Sequence, residues 1–414
     1  MKLNKWTMGL AAVGLVSIPA IGSAEEQMNQ VWTALSSTTL SGYVNTSMHW
    51  NPGTGNVNVP AYAFNNPDKQ DGFNLNVVKL ALEKPLDEAQ WAAGYKVELI
   101  AGEDAALLST SYRSNPNGFA PLDANDVAIK QAYITLRTPV GNGLDFKVGV
   151  WDTIIGYEVF DAGSNPNYTR SYGYSLEPTT HTGVLGTYQL CKAASVSFGV
   201  ANSFGPYIND KANPPKAESY KTYMAAVALT APDDWGFLAG STAYGGFING
   251  FNPGTVWDQT SLYTGFTLNT PVKGWRVGAS YDYLGTTGEF NGADNYANAL
   301  AVYSSFSLTE KLSVHGRGEY AWTDTGLLGT GAGLAGGNSE VFALTATLQY
   351  DLWKNVISRL EVRWDHQSGD GDMTGYGGKY PPFVDPGPQP APPAGFDGGQ
   401  RNSVLIAANL IYTF

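Results

Sequence analysis

The stretch LNTPVKGWRVGASYDY, residues 268–283, joins the end of one strand, a short turn and a second strand. Pro271 cannot donate a hydrogen bond to a sheet ladder, so it closes the strand that precedes it. After the turn, apolar residues alternate with polar or small ones at a period of two, which is typical of a strand with one apolar face. That face comprises Trp275, Val277, Ala279, Tyr281 and Tyr283. The stretch predicts two antiparallel strands joined by a tight turn.

The same plan recurs along the 414-residue chain. Clear copies are LEKPLDEAQWAAGYKV (82–97), LRTPVGNGLDFKVGV (136–150) and LTAPDDWGFLAG (229–240), and looser ones follow Tyr188, Leu308 and Tyr350. The anchors at 82, 136, 188, 229, 268, 308 and 350 lie 39 to 54 residues apart. This period fits two strands of about ten residues plus one long loop. Seven turns join fourteen strands, and one further strand at each end makes sixteen.

The alternation fits either a soluble β-sandwich or a membrane barrel. Aromatic residues cluster at the ends of the apolar faces, where the two membrane interfaces of a barrel would lie, whereas a sandwich favours them mid-strand. Sixteen strands in an open sheet would also leave long exposed edges. Long connections alternate with the turns, at 51–71, 102–126, 157–178, 205–219, 285–295, 324–338 and 368–399. Residues 38–414 are therefore predicted to form an all-β, transmembrane, antiparallel up-and-down β-barrel of about 16 strands, with short periplasmic turns and long extracellular loops.

The N-terminus carries the pattern of a secretory signal peptide. Lys2 and Lys5 precede an apolar run from Trp6 to Ile18, and Gly22–Ser23–Ala24 is a small-x-small cleavage site. The apolar run is too short for a spanning helix, although an uncleaved anchor is the alternative. We expect residues 1–24 to be removed on export, residues 25–37 to form a short periplasmic segment, and the barrel to lie in the bacterial outer membrane.

Charge and cysteine content exclude several classes of protein. Removal of residues 1–24 takes away two lysines and lowers the net charge from −12 to −14, which disfavours nucleic acid as a partner. The single cysteine, Cys191, excludes an internal disulfide. The four histidines are scattered, and no metal motif or catalytic constellation is present; Ser313 and His315 lack an orienting acid and point inward. We therefore predict no enzyme activity, no cofactor and no bound metal, leaving open a weak divalent-cation bridge to lipopolysaccharide at DANDV (123–127) or GDGDMTG (369–375).

Two stretches resemble a known family. KQDGFNLNVVKL (69–80) and IIGYEVFDAGSNPNYTRSYGYSLEPTTHTG (154–183) are similar to the putative β-barrel porin family, the OmpL-like group. The resemblance covers nearly the whole chain after residue 24. It implies an outer-membrane barrel of porin type, and it carries over no role for any single residue.

The third long loop, residues 157–178, is the predicted pore constriction. It holds Arg170 among three tyrosines and three carboxylates: Tyr168, Tyr172, Tyr174, Glu158, Asp161 and Glu177. Aromatic faces beside a guanidinium suit sugars or other polar solutes, through stacking and forked hydrogen bonds. The alternative is that the tyrosines pack the loop against the barrel wall.

The inward-facing positions carry a nearly balanced set of charges. The predicted pore wall comprises Lys96, Glu98, Lys147, Arg276, Asp282, Arg317, Glu319, Arg359, Glu361 and Arg363, with Lys79, Glu83, Arg137, Asp145 and Asp365 on the same parity. Balanced lining charge predicts weak ion selectivity. Arg317, Arg359 and Arg363 would set up a transverse field across the lumen, unless the charges are merely solvated.

The C-terminal stretch NSVLIAANLIYTF, residues 402–414, reads as the strand that closes the ring. Its apolar face ends in Leu410, Tyr412 and Phe414, while Leu405 and Ile411 break the alternation. We expect it to pair with the first strand near Leu40–Trp50 and to serve as the signal read by the barrel-assembly machinery.

These features predict an outer-membrane porin through which small hydrophilic solutes diffuse. The expected partners are outer-membrane lipids, lipopolysaccharide, the barrel-assembly machinery, the solutes themselves and two further copies in a homotrimer. Two alternatives stay open: a channel specific for a sugar or peptide, and a non-conducting surface adhesin.

Overall fold

The computed structural model describes residues 31–32, 37–53, 55–56, 58–108, 127–205, 207–253, 257–290, 293–324, 339–368, 376–377 and 400–414. The predicted signal peptide and most of the segment 25–37 lie outside these residues, as does the GDGDMTG loop. The described strands are β1 Val31–Trp32, β2 Thr39–Trp50, β3 Phe73–Lys84, β4 Ala93–Ala101, β5 Val127–Thr138, β6 Leu144–Asp152, β7 Thr180–Cys191, β8 Ala194–Ala201, β9 Thr222–Thr230, β10 Thr242–Phe251, β11 Asp258–Asn269, β12 Trp275–Phe290, β13 Ala293–Ser307, β14 Leu312–Thr323, β15 Ser339–Trp353, β16 Val356–Ser368 and β17 Asn402–Thr413.

Strands β2 to β17 form one closed antiparallel barrel of sixteen strands, which confirms the predicted fold class. Each strand pairs with the next along the chain, and β17 pairs with β2 from Ile406 opposite Trp50 to Thr413 opposite Tyr43. Beyond the last pair, Phe414 and Gly42 exchange two backbone hydrogen bonds of 2.9 and 3.0 Å. The two-residue strand β1 pairs onto the start of β2. Closure leaves the barrel ring without a free edge, as a sheet in a membrane requires.

The strands end at the predicted turns, but one predicted long loop is wrong. Strands β3, β5 and β11 end at Lys84, Thr138 and Asn269, just before the prolines. Residues 285–295, in contrast, mostly continue β12 and β13, with a bulge between Thr286 and Phe290. Polar strands can pair beyond the membrane without an apolar face, so the period-two pattern gives no sign of this extension.

The two faces of the wall have the predicted characters. The outward face exposes large apolar side chains, including Leu80, Ile134, Val302 and Leu360, at 43 to 54%. The inward face is buried and largely polar, apart from a cluster of apolar side chains mainly on β6 to β15, and it includes most of the charged residues predicted for the pore wall. Because lipid solvates the apolar face and the lumen is polar, this is the arrangement expected of a barrel in a bilayer.

Two bulges change which residues face inward. In β3, Asn76 is the extra residue, because Val77 pairs with Asn45 and Leu75 with Thr46. In β5, Lys130 is the extra residue, because Gln131 pairs with Glu98 and Ile129 with Leu99. A bulge inserts one residue and re-aims the side chains beside it. Asn76 and Lys130 are therefore both buried inside the barrel, although counting in twos along each strand would turn them outward.

Only short helices occur in the described residues. They are α1, Glu103–Leu108, and α2, Tyr172–Leu176, together with a few single 3₁₀ turns. Within these residues no helix has the length and apolarity needed to cross a membrane.

Candidate pore constriction

The loop between β6 and β7, residues 153–179, folds into the barrel and is called here the constriction loop. Its first part is apolar and packs on the inward side chains of β7 to β13. Ile154 and Ile155 join Trp151, Leu185 and Ile248 in one buried cluster. A strand pattern with only polar residues facing the lumen does not predict these apolar inward positions. They bind the loop by burial rather than by charge.

Three arginines on β14 and β16 hold the middle of the constriction loop by its carbonyl oxygens. Their contacts are Arg359 Nη1 to Ala162 O and Nη2 to Asn165 O (both 2.8 Å), Arg317 Nη1 to Thr169 O (2.6 Å) and Arg363 Nη1 to Arg170 O (2.6 Å). Loop carbonyls have no ladder partner, so a guanidinium with five donors can satisfy several of them at once. Of the arginines predicted for the pore wall, Arg317, Arg359 and Arg363 are therefore anchors for the loop.

The glutamates between these arginines hold the same segment by its amide groups. Glu361 accepts hydrogen bonds from the backbone N–H of Tyr168 (2.6 Å) and Thr169 (2.9 Å), and Glu319 accepts one from Tyr172 (2.7 Å). Hydrogen bonds to ionised carboxylates are stronger than those between neutral groups. Alternating Arg and Glu on one wall thus match the alternating C=O and N–H groups of the loop backbone.

The same charges also pair with one another inside the barrel. Arg317 Nη1 lies 2.8 Å from Glu158 Oε1, Arg317 Nε 2.6 Å from Glu319 Oε1, and Arg363 Nη2 2.9 Å from Asp365 Oδ1. The side chains of Arg317 and Arg363 have no exposed area. Arg317 and Arg363 are therefore not free charges, because carboxylates 2.6 to 2.9 Å away pair with them, and the transverse field expected from the crossing arginines and glutamates stays a prediction.

Arg170 lies in the interior of the loop rather than on a free surface. Its guanidinium donates to Tyr168 O (3.1 Å) and Phe160 O (2.7 Å), and it lies 5.5 to 5.6 Å from the ring centres of Tyr174 and Phe64. Cation–π contacts of this kind stabilise a guanidinium that has lost water. The predicted set of Arg170 with tyrosines is brought together, but it packs the loop, which was the alternative interpretation.

Tyr172 and Tyr168 attach the loop to the wall by their hydroxyl groups. Tyr172 donates to Asp365 Oδ1 (2.8 Å), and its ring lies 5.1 Å from the guanidinium of Arg363. Tyr168 donates to Ser47 Oγ (2.9 Å) on β2. Burial raises the pKa of both loop hydroxyls, Tyr172 well above its usual range. Both tyrosines thus stay neutral as donors.

Asp161 ties the loop to the wall at β3, three strands around the ring from β16. Lys79 Nζ on β3 lies 2.7 Å from Asp161 Oδ2 and 3.0 Å from Glu98 Oε1 on β4, and Lys96 also pairs with Glu98 at 3.0 Å. Lys130, turned inward by its bulge, pairs with Asp152 at the start of the loop. On β11, which lies eight strands from β3 around the ring, Thr267 Oγ1 donates to the Tyr157 hydroxyl of the loop (3.1 Å), so the loop is bound on both sides of the lumen.

The first long loop covers the constriction loop from above. The Tyr62 ring lies 3.7 Å from the Arg363 guanidinium, Ala63 N donates to Ser175 Oγ (2.8 Å), and the buried Lys69 pairs with Asp104 (2.5 Å). A cavity of about 20 Å³ remains between the two loops, enough for about one water molecule. Nothing in the sequence pattern indicated this second inserted loop.

Water-exposed charge is concentrated at the end of the lumen nearest the short turns. The side chains of Lys96 and Glu83 are 22 and 40% exposed and lie 3.6 Å apart. Lys147 and Arg276 are also partly exposed. Lys147 lies over the Tyr133 ring, 4.9 Å from its centre. Of the predicted pore wall, Lys96, Lys147 and Arg276 are thus the residues that keep contact with water.

The remaining predicted residues occupy distinct places. Glu177, at the end of the loop, lies within hydrogen-bonding reach of Asp282 on β12. Leu410 and Tyr412 face outward, and the Tyr412 ring stacks with that of Phe414. Ser313 and His315 are hydrogen-bonded (3.0 Å), and the other ring nitrogen of His315 contacts Ser305 rather than a carboxylate.

Solved structures with similar folds include outer-membrane proteins and porins. OmpT of Vibrio cholerae is 13% identical, with a TM-score of 0.53, over 94% of this chain and 100% of that one. The outer membrane channel DcaP of Acinetobacter baumannii is 12% identical (TM-score 0.55, 92% and 99%). The anion-selective porin from Comamonas acidovorans is also 12% identical (0.54, 91% and 99%). No curated protein sequence matches the chain.

A family model identifies the sequence more closely than these folds do. The model of the family described as Putative beta-barrel porin-2, OmpL-like, matches residues 37–392. This range is most of the chain and nearly the whole barrel. The resemblance seen in residues 69–80 and 154–183 is thereby confirmed. The chain belongs to the OmpL-like beta-barrel porin-2 family and is an outer-membrane porin.

Proposed function

We propose that this porin passes small hydrophilic solutes by passive diffusion, past a constriction formed by residues 153–179. The observation that carries this proposal is the attachment of the loop to both walls of a sixteen-stranded barrel. A barrel of this size encloses an aqueous lumen, and a loop fixed within it reduces the free cross-section. The constriction residues are Glu158, Asp161, Tyr168, Arg170, Tyr172, Tyr174 and Glu177.

Liposome swelling with a series of uncharged solutes tests this function. Diffusion past a rigid constriction predicts a rate that falls smoothly and steeply with solute size. A solute-specific channel would give one outlier with saturation, and a non-conducting adhesin would give no swelling. The Arg170 guanidinium supports diffusion over specificity, because backbone carbonyls already occupy it.

We further propose that the chain is exported by its signal peptide and assembles as a homotrimer. Support for the trimer comes from OmpT of Vibrio cholerae, which has a trimer form. Small residues on the outward face of β9 and β10, namely Ala225, Ala243 and Gly245, could form the contact, which extends the small-residue segment Phe237–Gly246. Small residues allow two walls to approach closely in a membrane. Cross-linking in native outer membranes should give a species of three chains, and the change Ala225→Trp should reduce it.

Lipopolysaccharide and the barrel-assembly machinery are the remaining proposed partners. The exposed aromatic side chains at the strand ends, among them Trp50 and Trp353, suit a lipid interface. The outward Tyr412 and Phe414 pair supports recognition of the last strand during assembly. Divalent cations at the two acidic loops remain part of the lipopolysaccharide proposal, although both loops lie almost wholly outside the described residues.

A further inference from the structure

We propose that Glu177 and Asp282 share one proton, that this proton holds the end of the constriction loop on β12, and that its loss releases the loop. The proposal rests on the proposed function, because it concerns how the same constriction is positioned. Glu177 and Asp282 would be positioning residues, which set the free cross-section without having to touch a solute.

The two carboxyl groups are in direct contact. Glu177 lies three residues before β7 begins, and Asp282 lies on β12, where its residue is 3% exposed. Their carboxyl groups lie within hydrogen-bonding reach of each other. A carboxylate can only accept hydrogen bonds, so one member of such a pair must hold a proton.

Two glycines of the loop make room for this pair. A Cβ added at Gly156 would lie 2.1 Å from Glu177 Oε2, and one at Gly173 would lie 2.3 Å from Asp282 Oδ2. Gly156 also has a φ of +122°, which side chains rarely adopt. Any other residue at either position would push the carboxyl groups apart. The loop backbone is therefore shaped around the pair.

No lysine or arginine among the described residues acts on the pair as a neutralising partner. Glu158 contributes a further negative charge near the pair, although Glu158 itself is paired with Arg317. The hydroxyl of Tyr263, a residue only 5% exposed, lacks a hydrogen-bond partner, as does Asp282 Oδ1, and Tyr263 lies directly opposite Asp282 on β11. Tyr174 also interacts with Glu177 and Tyr281 with Asp282, while Tyr157 and Tyr244 interact with Tyr263.

The charge state sets the direction of the pH effect. Burial and the neighbouring Asp282 raise the pKa of Glu177 well above its usual range. Below that raised pKa the pair keeps its proton and its hydrogen bond. As the pH rises through it, both groups become ionised, and two buried negative charges in contact repel strongly. Release of the loop is therefore expected on the alkaline side, and an acidic pH favours the attached loop.

Single-channel recording across pH, together with infrared spectroscopy, tests whether the two carboxyl groups share a proton and hold the loop. The wild-type channel should show an alkaline step to higher conductance, and its spectrum should contain a protonated-carboxyl band that disappears over the same pH interval. The changes Asp282→Asn and Glu177→Gln should remove the step and the band, because an amide donates the hydrogen bond at every pH. Glu310→Gln is the matched control: it removes an exposed carboxylate from a short turn and should leave the step unchanged.

Three results would overturn the proposal. They are a wild-type conductance that does not vary with pH, a step that persists in both amide variants, and a step that is abolished by a chelator, which would assign the contact to a bridging cation. Absence of channels at every pH would instead defeat the proposed function. In that case the infrared band still decides whether Glu177 and Asp282 share a proton.

Discussion

Arg317 and Glu158 form an ion pair inside the barrel, with Arg317 Nη1 2.8 Å from Glu158 Oε1 and both side chains at most 1% exposed. Arg317 comes from the wall and Glu158 from the constriction loop, so the pair joins the two parts of the pore. Arg317 also binds Glu319 at 2.6 Å, which makes it the only described cation in contact with both carboxylates at this point. Loss of this guanidinium should therefore loosen the loop at this point, while Arg359, Arg363 and Lys79 still hold other parts of it.

Replacing Arg317 with Ala should detach this part of the loop. The change leaves the buried Glu158 without its cation and Glu319 with only Arg363, 3.6 Å away, and breaking a buried pair in this way costs about 3–5 kcal/mol. We expect a lower temperature for the heat-modifiable gel shift and a noisier, larger single-channel current. Lys192→Ala removes an exposed cation from a turn and should change neither property. An Arg317→Ala protein with the wild-type transition temperature would show that the pair does not hold the loop.

Removing the Arg170 guanidinium should alter the constriction without unfolding the barrel. Arg170→Ala loses the hydrogen bonds to Tyr168 O and Phe160 O, at about 1–3 kcal/mol for donors that are charged. Because the loop tip then loses its internal support, conductance or ion preference should change. Arg170→Lys keeps the charge but lacks the fork that reaches both carbonyls, so it should be intermediate. An unchanged current–voltage curve for Arg170→Ala would remove this residue from the constriction.

Ion preference should respond to the charges that keep contact with water. Lys147 lies over Tyr133 near the turn end of the lumen, and Glu83 is 40% exposed there. Lining charge sets ion selectivity, so Lys147→Glu should shift the reversal potential in a salt gradient toward cations and Glu83→Gln should shift it toward anions. The shifts should shrink at high salt, because screening shortens the reach of these charges. If both variants keep the wild-type reversal potential, these residues do not lie on the ion path.

Deleting Phe414 should reduce barrel assembly in the outer membrane. The deletion removes the two backbone hydrogen bonds to Gly42 and the ring stacked on Tyr412. We expect less heat-modifiable protein in the outer membrane, while processing by the export machinery is unchanged. Phe414→Tyr keeps the aromatic ring and should assemble normally. Wild-type levels after the deletion would argue against a role for this residue as an assembly signal.

The barrel was predictable because its signals are local and repeated. Leu-x-x-Pro turns and period-two faces mark strand ends and sides without reference to distant residues. The inward turn of Lys130 was not predictable, because a bulge depends on how β5 pairs with β4. Leu405 and Ile411 carried the one available hint of an occupied lumen. Both break the alternation in β17, and both are buried, Leu405 beside Tyr168 and Ile411 beside Ala162 of the constriction loop.

The role of the charged wall residues depends on contacts between residues that are far apart in the sequence. Arg359 contacts Asn165 across 194 residues, and Glu361 contacts Tyr168 across 193. Strand parity placed both side chains inside the barrel, but it contains no information on what else enters the lumen. The charged inward positions therefore predict a pore lining, whereas many of them bind the constriction loop in the structure.

Planar-bilayer recording of the purified, heat-modifiable wild-type protein is the measurement that tests the central claim most directly. A porin with a fixed constriction should insert as discrete, long-lived channels, and their conductance should scale with the salt concentration, because ions cross through water. Correctly folded protein that produces no conductance steps would contradict the account.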